Sequence, residues 1–252
     1  MELKSLGMTD IKLSPLGLGT VKFGRNEGVK YPQGFDIPDE SFLSDLLSQA
    51  KELGINTLDT APAYGTSEER LGRLLNGQRQ DWVIIGKAGE EFENGESVYN
   101  FTPEHFEKSL ERSLKRLNTD YIDIFLIHSN GNDMENLSDD LIATMQNFKK
   151  RGLVRAIGAS TKTVYGGIRS LEVLDTAMVT YNPEYTDESA VLDYAVENKK
   201  NVLLKKALSS GHNTNISNAF KFCFDHKAVA SAVVGTINPK HLRQNVEAIH
   251  QI

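Results

Sequence analysis

The chain has 252 residues, of which 39% are hydrophobic and 25% charged, enough apolar material for one large domain or two small ones and too much for a disordered chain. Its formal net charge of −6, from 28 basic and 34 acidic residues, excludes a general nucleic-acid binder, which needs a basic face, but leaves room for a local basic pocket that holds a phosphate.

Met1 to Ser5 lacks the apolar core of a signal peptide, and no apolar run is long enough to span a bilayer. A cytoplasmic protein without membrane or nucleic-acid partners is therefore expected. Glu2 to Lys12 reads as a small β-hairpin turning near Gly7-Met8-Thr9-Asp10, and Leu16 to Thr20 as a short strand. After Pro38-Asp39, the side chains Phe42, Leu43, Leu46, Leu47, Ala50 and Leu53 fall on one face at helical spacing. Asp39 is placed to cap that helix and Gly54 to close it.

Ile55 to Asp59 reads as a strand. Thr66 with Glu69 three residues on reads as a capping box opening a helix whose apolar face is Leu71, Leu74 and Leu75. Trp82 to Ile85 is a buried strand ending at Lys87. Thr102 then caps a helix with Pro103 at its first position, lined inside by Phe106, Leu110, Leu114 and Leu117. Ile122 to Ile127 is the next strand, and Leu141, Ile142, Met145 and Phe148 mark a helix that stops at Arg151-Gly152.

The second half repeats the scheme. Strands are expected at Val154–Ala159, Ala177–Tyr181, Val202–Lys206 and Ala232–Val234, and helices at Val164–Leu174, Glu188–Asn198, Ile216–Asp225 and Pro239–His250. The lone cysteine, Cys223, cannot form an internal disulfide and lies in the apolar stretch Ala219 to Phe224, where it reads as core packing. Strictly alternating strands and helices imply parallel strands with right-handed crossovers. Eight pairs in this length fit an α/β fold closed as a (β/α)8 TIM barrel, with the N-terminal hairpin in front. An open doubly wound sheet would want a Gly-x-Gly-x-x-Gly turn after a strand, and none is present. No linker divides residues 1–252, so one barrel domain is expected.

In such a barrel, reactive residues sit at the carboxyl ends of strands and in the loops that follow. Asp59 ends the second strand, Tyr64 lies in the next loop, Lys87 ends the third strand and His128 the fourth. Taken singly, each has an ordinary reading: a turn-forming Asp, a rim Tyr, a solvated Lys, a hydrogen-bonded His. Together they suit general acid catalysis. An ammonium beside a phenol favours the phenolate and should lower its pKa from about 10. An Asp orients the Lys, and a His donates a hydrogen bond to a carbonyl oxygen. No side chain supplies a hydride, so a reductive reading needs a cofactor.

At these positions the chain resembles the aldo-keto reductase family. The likeness rests on Asp59, Tyr64, Lys87 and His128 and on their contexts: Leu58-Asp59-Thr60-Ala61 with Tyr64-Gly65 and Ser67-Glu68, Ile127-His128, and Ile157-Gly158-Ala159-Ser160. Val234-Gly235-Thr236 with His241-Leu242 and Asn245 resembles the family's cofactor segment. The resemblance implies NADP(H), with NAD(H) possible, no metal, and a small carbonyl or alcohol substrate. It makes Tyr64 the acid in reduction, tuned by Lys87 and Asp59, with His128 orienting the carbonyl and Ser160 on the nicotinamide carboxamide. Further cofactor contacts are implied at Gly19, Thr20, Val21, Asp59, Thr161, Lys205, Lys206, Ala207, Leu208, Gly211, Gly235, Thr236, Asn238, Lys240, His241 and Asn245.

A physical expectation supports that segment. Barrel enzymes bind phosphate through the loops after strands seven and eight and at a helix N-terminus. Here these are Ser209 to Asn213 and the helix opening at Asn238-Pro239, with Lys240, His241 and Arg243 in its first turn. The chain departs from the family in having Thr161 for an Asn, Met178 for a Gln, and Lys205-Lys206-Ala207-Leu208 where an aromatic often stacks. Gly235 and His241 stand where Lys and Arg often hold the 2′-phosphate, a role open here to Lys240 or Arg243. The chain stops at Ile252 just after the eighth helix, a truncated C-terminus. An open, shallow, weakly selective pocket is therefore expected, lined by Val21, Lys22 and Phe23, by the acidic third loop (Phe92 to Phe101) and by Ser129 to Asn136. Two other readings stay open: a Schiff-base aldolase using Lys87, and a regulatory protein that binds the cofactor with little turnover. The sequence leaves the oligomeric state open.

Overall fold

The structure, a computed structural model, describes residues 1–252. Eight parallel strands close a barrel in chain order: β1 (Leu16–Gly19), β2 (Thr57–Asp59), β3 (Val83–Ala88), β4 (Ile122–His128), β5 (Val154–Ser160), β6 (Thr176–Thr180), β7 (Val202–Lys205) and β8 (Val229–Val234). Ala232 pairs with Leu16 and so joins β8 back to β1. The crossover helices are α1 (Glu40–Glu52), α2 (Ser67–Leu74), α3 (Pro103–Leu117), α4 (Asp139–Lys150), α5 (Val164–Val173), α6 (Ser189–Glu197), α7 (Ile216–Asp225) and α8 (Pro239–His250). The fold is a (β/α)8 TIM barrel with an N-terminal hairpin, Lys4–Ser5 paired with Lys12–Leu13. No helix is long and apolar enough to cross a membrane.

Capping residues set where the helices begin. The Asp39 carboxylate accepts from Phe42 N at 2.8 Å, and Thr102 Oγ1 accepts from His105 N at 3.3 Å. Asn238 caps α8 by accepting from Lys240 N at 2.9 Å, with Pro239 at the first helical position. The Thr66–Glu69 capping box does not form: the Thr66 side chain makes no cap bond. Glu69 pairs instead with Arg116 of α3 at 2.9 Å, a tertiary partner that outcompetes a local one.

The period-two alternation of the strands splits the core in two. A 49-residue cluster fills the layer between sheet and helices and includes the buried Cys223. A smaller one, with Val83, Ile85, Ile124, Leu126, Ala156, Met178 and Leu203, fills the barrel, and Leu6, Ile11 and Leu13 of the hairpin pack into it. Counting on by twos along the same faces reaches Lys87 after Ile85, His128 after Leu126, Ser160 after Ala156 and Lys205 after Leu203. The barrel's inward face is thus apolar through its body and polar at its carboxyl end.

Three local elements differ from expectation. The third loop is an antiparallel hairpin, Glu90–Glu93 with Glu96–Tyr99. It turns on Asn94 (φ 53°) and Gly95 (φ 85°), the pair of left-handed residues that a two-residue hairpin turn requires. Short helices, Val21–Gly24 and Asp133–Asn136, begin the connections after β1 and β4. The last strand starts at Val229 rather than Ala232.

Candidate active site

Strand register brings the four expected residues together. Asp59 of β2 pairs with Ile85 of β3, which places Lys87 one inward position further along. Lys87 Nζ lies 2.5 Å from Asp59 Oδ1 and donates to Thr60 O at 3.1 Å. It also donates to the Tyr64 hydroxyl at 3.1 Å, and that hydroxyl lies 3.3 Å from Asp59 Oδ2. The His128 ring stands edge-on to Tyr64, with centroids 6.3 Å apart. A 3-10 turn, Pro62–Tyr64, aims the phenol back over the barrel. Thr20 Oγ1 braces the turn from below through Asp59 O (2.8 Å) and Ser67 Oγ (2.7 Å).

The phenol is not made more acidic than usual in this arrangement, contrary to expectation. Burial pushes the Tyr64 phenol well above its usual range, and the charges of Asp59 and Glu90 push the same way. The Lys87 ammonium, 3.1 Å from the hydroxyl, shares its charge with Asp59 and so does not offset that rise. Tyr64 is therefore a neutral proton donor at physiological pH. His128 is driven well below its ordinary value, first by burial and then by Lys87, Lys205, Lys162 and Arg25, so its imidazole is neutral. Its Nδ1 lies 3.1 Å from Glu90 Oε2 but is not aligned to hydrogen-bond with it.

These four residues open into a cavity of about 540 Å³. Gly19, Val21, Ser160, Lys205, Lys206, Ala207, Leu208, Gly211 and Gly235 line it with them. Lys205 Nζ donates to Ser160 Oγ at 3.0 Å and to Thr161 O at 2.6 Å. Lys206 (φ 56°), Ser209 (φ 48°) and Ser210 (φ 59°) all hold left-handed backbone, strain that functional loops often carry. The remaining candidates lie outside that lining. Thr236 Oγ1 accepts from Asn238 N at 3.1 Å, and Lys240 and His241 are exposed on the first turn of α8. Thr161 Oγ1 and Asn245 Oδ1 are buried without a protein partner.

The expected open, shallow pocket is instead covered from one side. The connection between Gly24 and α1 crosses the mouth, and Gly28, Val29, Lys30 and Tyr31 line the cavity. Burial pushes the Tyr31 phenol up to about 12. Of the expected rim, Val21 and Ser129 line the cavity, but Phe23 is buried in the core and Lys22 Nζ sits 4.0 Å over the Tyr31 ring. The 90–99 hairpin contributes Glu90, Ser97 and Tyr99. Sequence reading missed Arg25, Tyr31, Glu90 and Lys162 in the lining. The length of the first connection, on the face where barrel enzymes build their sites, was the available signal.

A sequence profile of the Aldo/keto reductase family matches residues 15–212. The chain is 32% identical over 218 residues to the aldo-keto reductase YhdN of Bacillus subtilis, covering 84% of this chain and 63% of that protein. It is 32% identical over 169 residues to the NADH-specific methylglyoxal reductase of Escherichia coli, covering 62% of this chain and 50% of that one. The chain thus spans between half and two thirds of the length of these curated relatives. A solved structure of a candidate aldo-keto reductase from Pseudomonas aeruginosa is 50% identical, with a TM-score of 0.92, covering 99% of this chain and 95% of that one.

Proposed function

The chain belongs to the aldo/keto reductase family, and on that footing we propose that it is an NAD(P)H-dependent reductase of aldehydes and ketones with Tyr64 as its acid. The observation that carries this reading is the Tyr64 hydroxyl held between Lys87 Nζ and Asp59 Oδ2, at 3.1 and 3.3 Å, at the edge of a cavity shared with a neutral His128.

Members of this family use nicotinamide cofactors, and the bound cofactor supplies the hydride. The cavity suits such a group chemically. Lys30 and Lys206 line it with no carboxylate within 4.0 Å, fit for an anionic dinucleotide. Asn245 and Thr161 offer buried polar atoms that no protein group satisfies. Gly19, Val21, Ser160, Lys206, Ala207, Leu208, Gly211 and Gly235 would hold the cofactor inside the cavity. Thr236, Asn238, Lys240, His241 and Asn245 would meet its outer end. Of the two forms, NADPH is favoured, with Lys240 and Arg243 of α8 as exposed cations for a 2′-phosphate.

The chain's own groups divide the remaining work. Neutral His128 donates a hydrogen bond to the carbonyl oxygen and holds it beside Tyr64. As negative charge develops on that oxygen, Tyr64 transfers its proton to it, giving the alcohol. The Lys87 ammonium, anchored by Asp59 and Thr60 O, then stabilises the phenolate until solvent returns a proton. Lys87 is engaged by three acceptors and buried against a carboxylate, so it is a poor amine nucleophile, which disfavours the aldolase reading.

Tyr64→Phe tests the proposal. Reduction of small aldehydes, methylglyoxal among them, should fall by about two to four orders of magnitude, while cofactor fluorescence still reports binding. Full activity in that variant removes Tyr64 as the acid. Binding without turnover in the unaltered protein, across a broad carbonyl panel, replaces this reading with a regulatory one.

A further inference from the structure

Six cationic side chains line the cavity, Arg25, Lys30, Lys87, Lys162, Lys205 and Lys206, against only two carboxylates, Asp59 and Glu90. Asp59 is engaged by Lys87, and Glu90 faces His128. Arg25 is engaged too, donating to Ala63 O at 3.0 Å, Glu27 O at 2.8 Å and Gly28 O at 3.1 Å. Asp133 and Glu188, outside the lining, offset part of the remaining charge but lie beyond 4.0 Å of any of these lysines, and each is held by other donors. Asp133 accepts from Ser129 Oγ, from Lys162 N (2.9 Å), and from the N (2.8 Å) and Oγ1 (2.6 Å) of Thr163. Glu188 is buried and accepts from Thr180 N at 3.2 Å. In a protein of net charge −6, the cavity is a concentrated positive region.

Burial lowers the basicity of the Lys206 ammonium first, and the charges of Lys30 and Lys162 add to that fall. Two of the unpaired lysines are tied to the His128 side of the cavity. Lys162 and Lys205 lie close enough to His128 for their charges to depress its basicity. An ammonium has three donors. Lys205 uses two, on Ser160 Oγ and Thr161 O, and keeps one free. A positive cleft with low-dielectric walls draws in anions and raises their local concentration.

We propose that Lys162 and Lys205 form an anion-binding pair that selects carbonyl substrates carrying a carboxylate beyond the carbonyl group. This rests on the reading of the cavity as a carbonyl-reducing site. It makes the substrates oxo-acids rather than neutral aldehydes. Burial brings Lys205 down to about 8, with Glu188 and Asp133 opposing that fall and Lys206 and Lys162 adding to it. Lys205 is therefore mostly charged at neutral pH and loses its charge as pH rises past that value, so the selection weakens above it.

The test compares matched pairs, 4-formylbenzoate with its methyl ester and 4-oxobutanoate with its methyl ester, in the intact protein with NADPH. The acid should exceed the ester in kcat/KM by about tenfold or more at low salt, the scale of electrostatic steering. The ratio should collapse in Lys162→Met, which changes an exposed side chain, and in Lys205→Met, and should recover in Lys162→Arg. Equal or better use of the esters overturns the proposal and leaves the reductase reading standing. Weakened NADPH binding in Lys162→Met with an unchanged acid-to-ester ratio also overturns it, because the charge then serves a cofactor phosphate. Equilibrium binding of benzoate and benzamide to the cofactor-loaded protein covers the case of no turnover. Benzoate bound tighter, with the difference lost in Lys162→Met, keeps the anion site and ends the reductase reading; benzoate bound no tighter ends the anion site.

Discussion

The Tyr31 hydroxyl stands against Gly235 so closely that a Cβ on that glycine would lie 2.5 Å from the phenolic oxygen. This contact ties the connection after β1 to the loop after β8 across the barrel mouth. Pro32 makes a second tie, since a Cβ on Gly211 would meet its Cδ at 3.6 Å. Lys22 Nζ braces the strap from beneath, 4.0 Å from the Tyr31 ring centroid and 4.8 Å from that of Phe35.

Gly235→Ala should therefore displace the strap, because a phenol is too rigid to bend away from a methyl group. Tyr31→Phe removes the clashing oxygen and should relieve most of the effect. A double-mutant cycle by urea denaturation is expected to give a coupling of about 0.5–3 kcal/mol. Additive behaviour would show that the two positions do not meet.

Asp59 and Lys87 are both buried, so removing either partner strands a charge. Lys87→Met alone should cost about 3–5 kcal/mol of stability. The double variant Asp59→Leu with Lys87→Met should be more stable than Lys87→Met, although it is inactive. Denaturant midpoints of the wild type and these two variants check the order.

His128 has its pKa depressed in the folded state, so the unfolded chain binds the extra proton first. Stability due to this group is complete above the unfolded value of about 6.5 and is lost as pH falls below it, with a slope approaching about 1.4 kcal/mol per pH unit. The urea midpoint of the wild type should drop from about pH 7.5 to about pH 5 by more than that of His128→Gln. Parallel pH profiles would place the charged imidazole in the folded site.

At the opposite end of the barrel, Asp123 accepts from Arg79 Nη2 at 2.8 Å, Arg155 Nη1 at 2.5 Å and Ile84 N at 2.9 Å. Asp123→Ala leaves two cations facing each other and should destabilise by about 3–5 kcal/mol. Its kcat at low temperature should stay near that of the wild type, since Asp123 touches no group of the mouth. A loss of kcat as large as that in Tyr64→Phe would show that floor and mouth are coupled.

Most of the barrel could be read from local signals. The apolar faces at Leu43–Ala50 and Phe106–Leu117, with caps at Asp39 and Thr102, are short-range features that the fold keeps. The capping box at Thr66 failed because Glu69 found Arg116 on a neighbouring helix, a competitor that no local window contains. The 90–99 hairpin was hidden by its charge: Glu90, Glu91, Glu93 and Glu96 mask a turn that Asn94-Gly95 announces. Tyr31 and Lys162 were invisible as site residues, because each reaches the cavity from a loop whose path depends on distant contacts.

Residue order alone determined the alternation of elements, hence the closed barrel, and the inward period of two that puts Asp59, Lys87 and His128 at one rim. Those follow from steric and hydrophobic preferences acting over a few residues. Only the folded chain decided the charge state of the phenol, the strap over the mouth and the excess of unpaired lysines within it. Burial and electrostatic fields are sums over groups remote in sequence, and they exist only once those groups are neighbours.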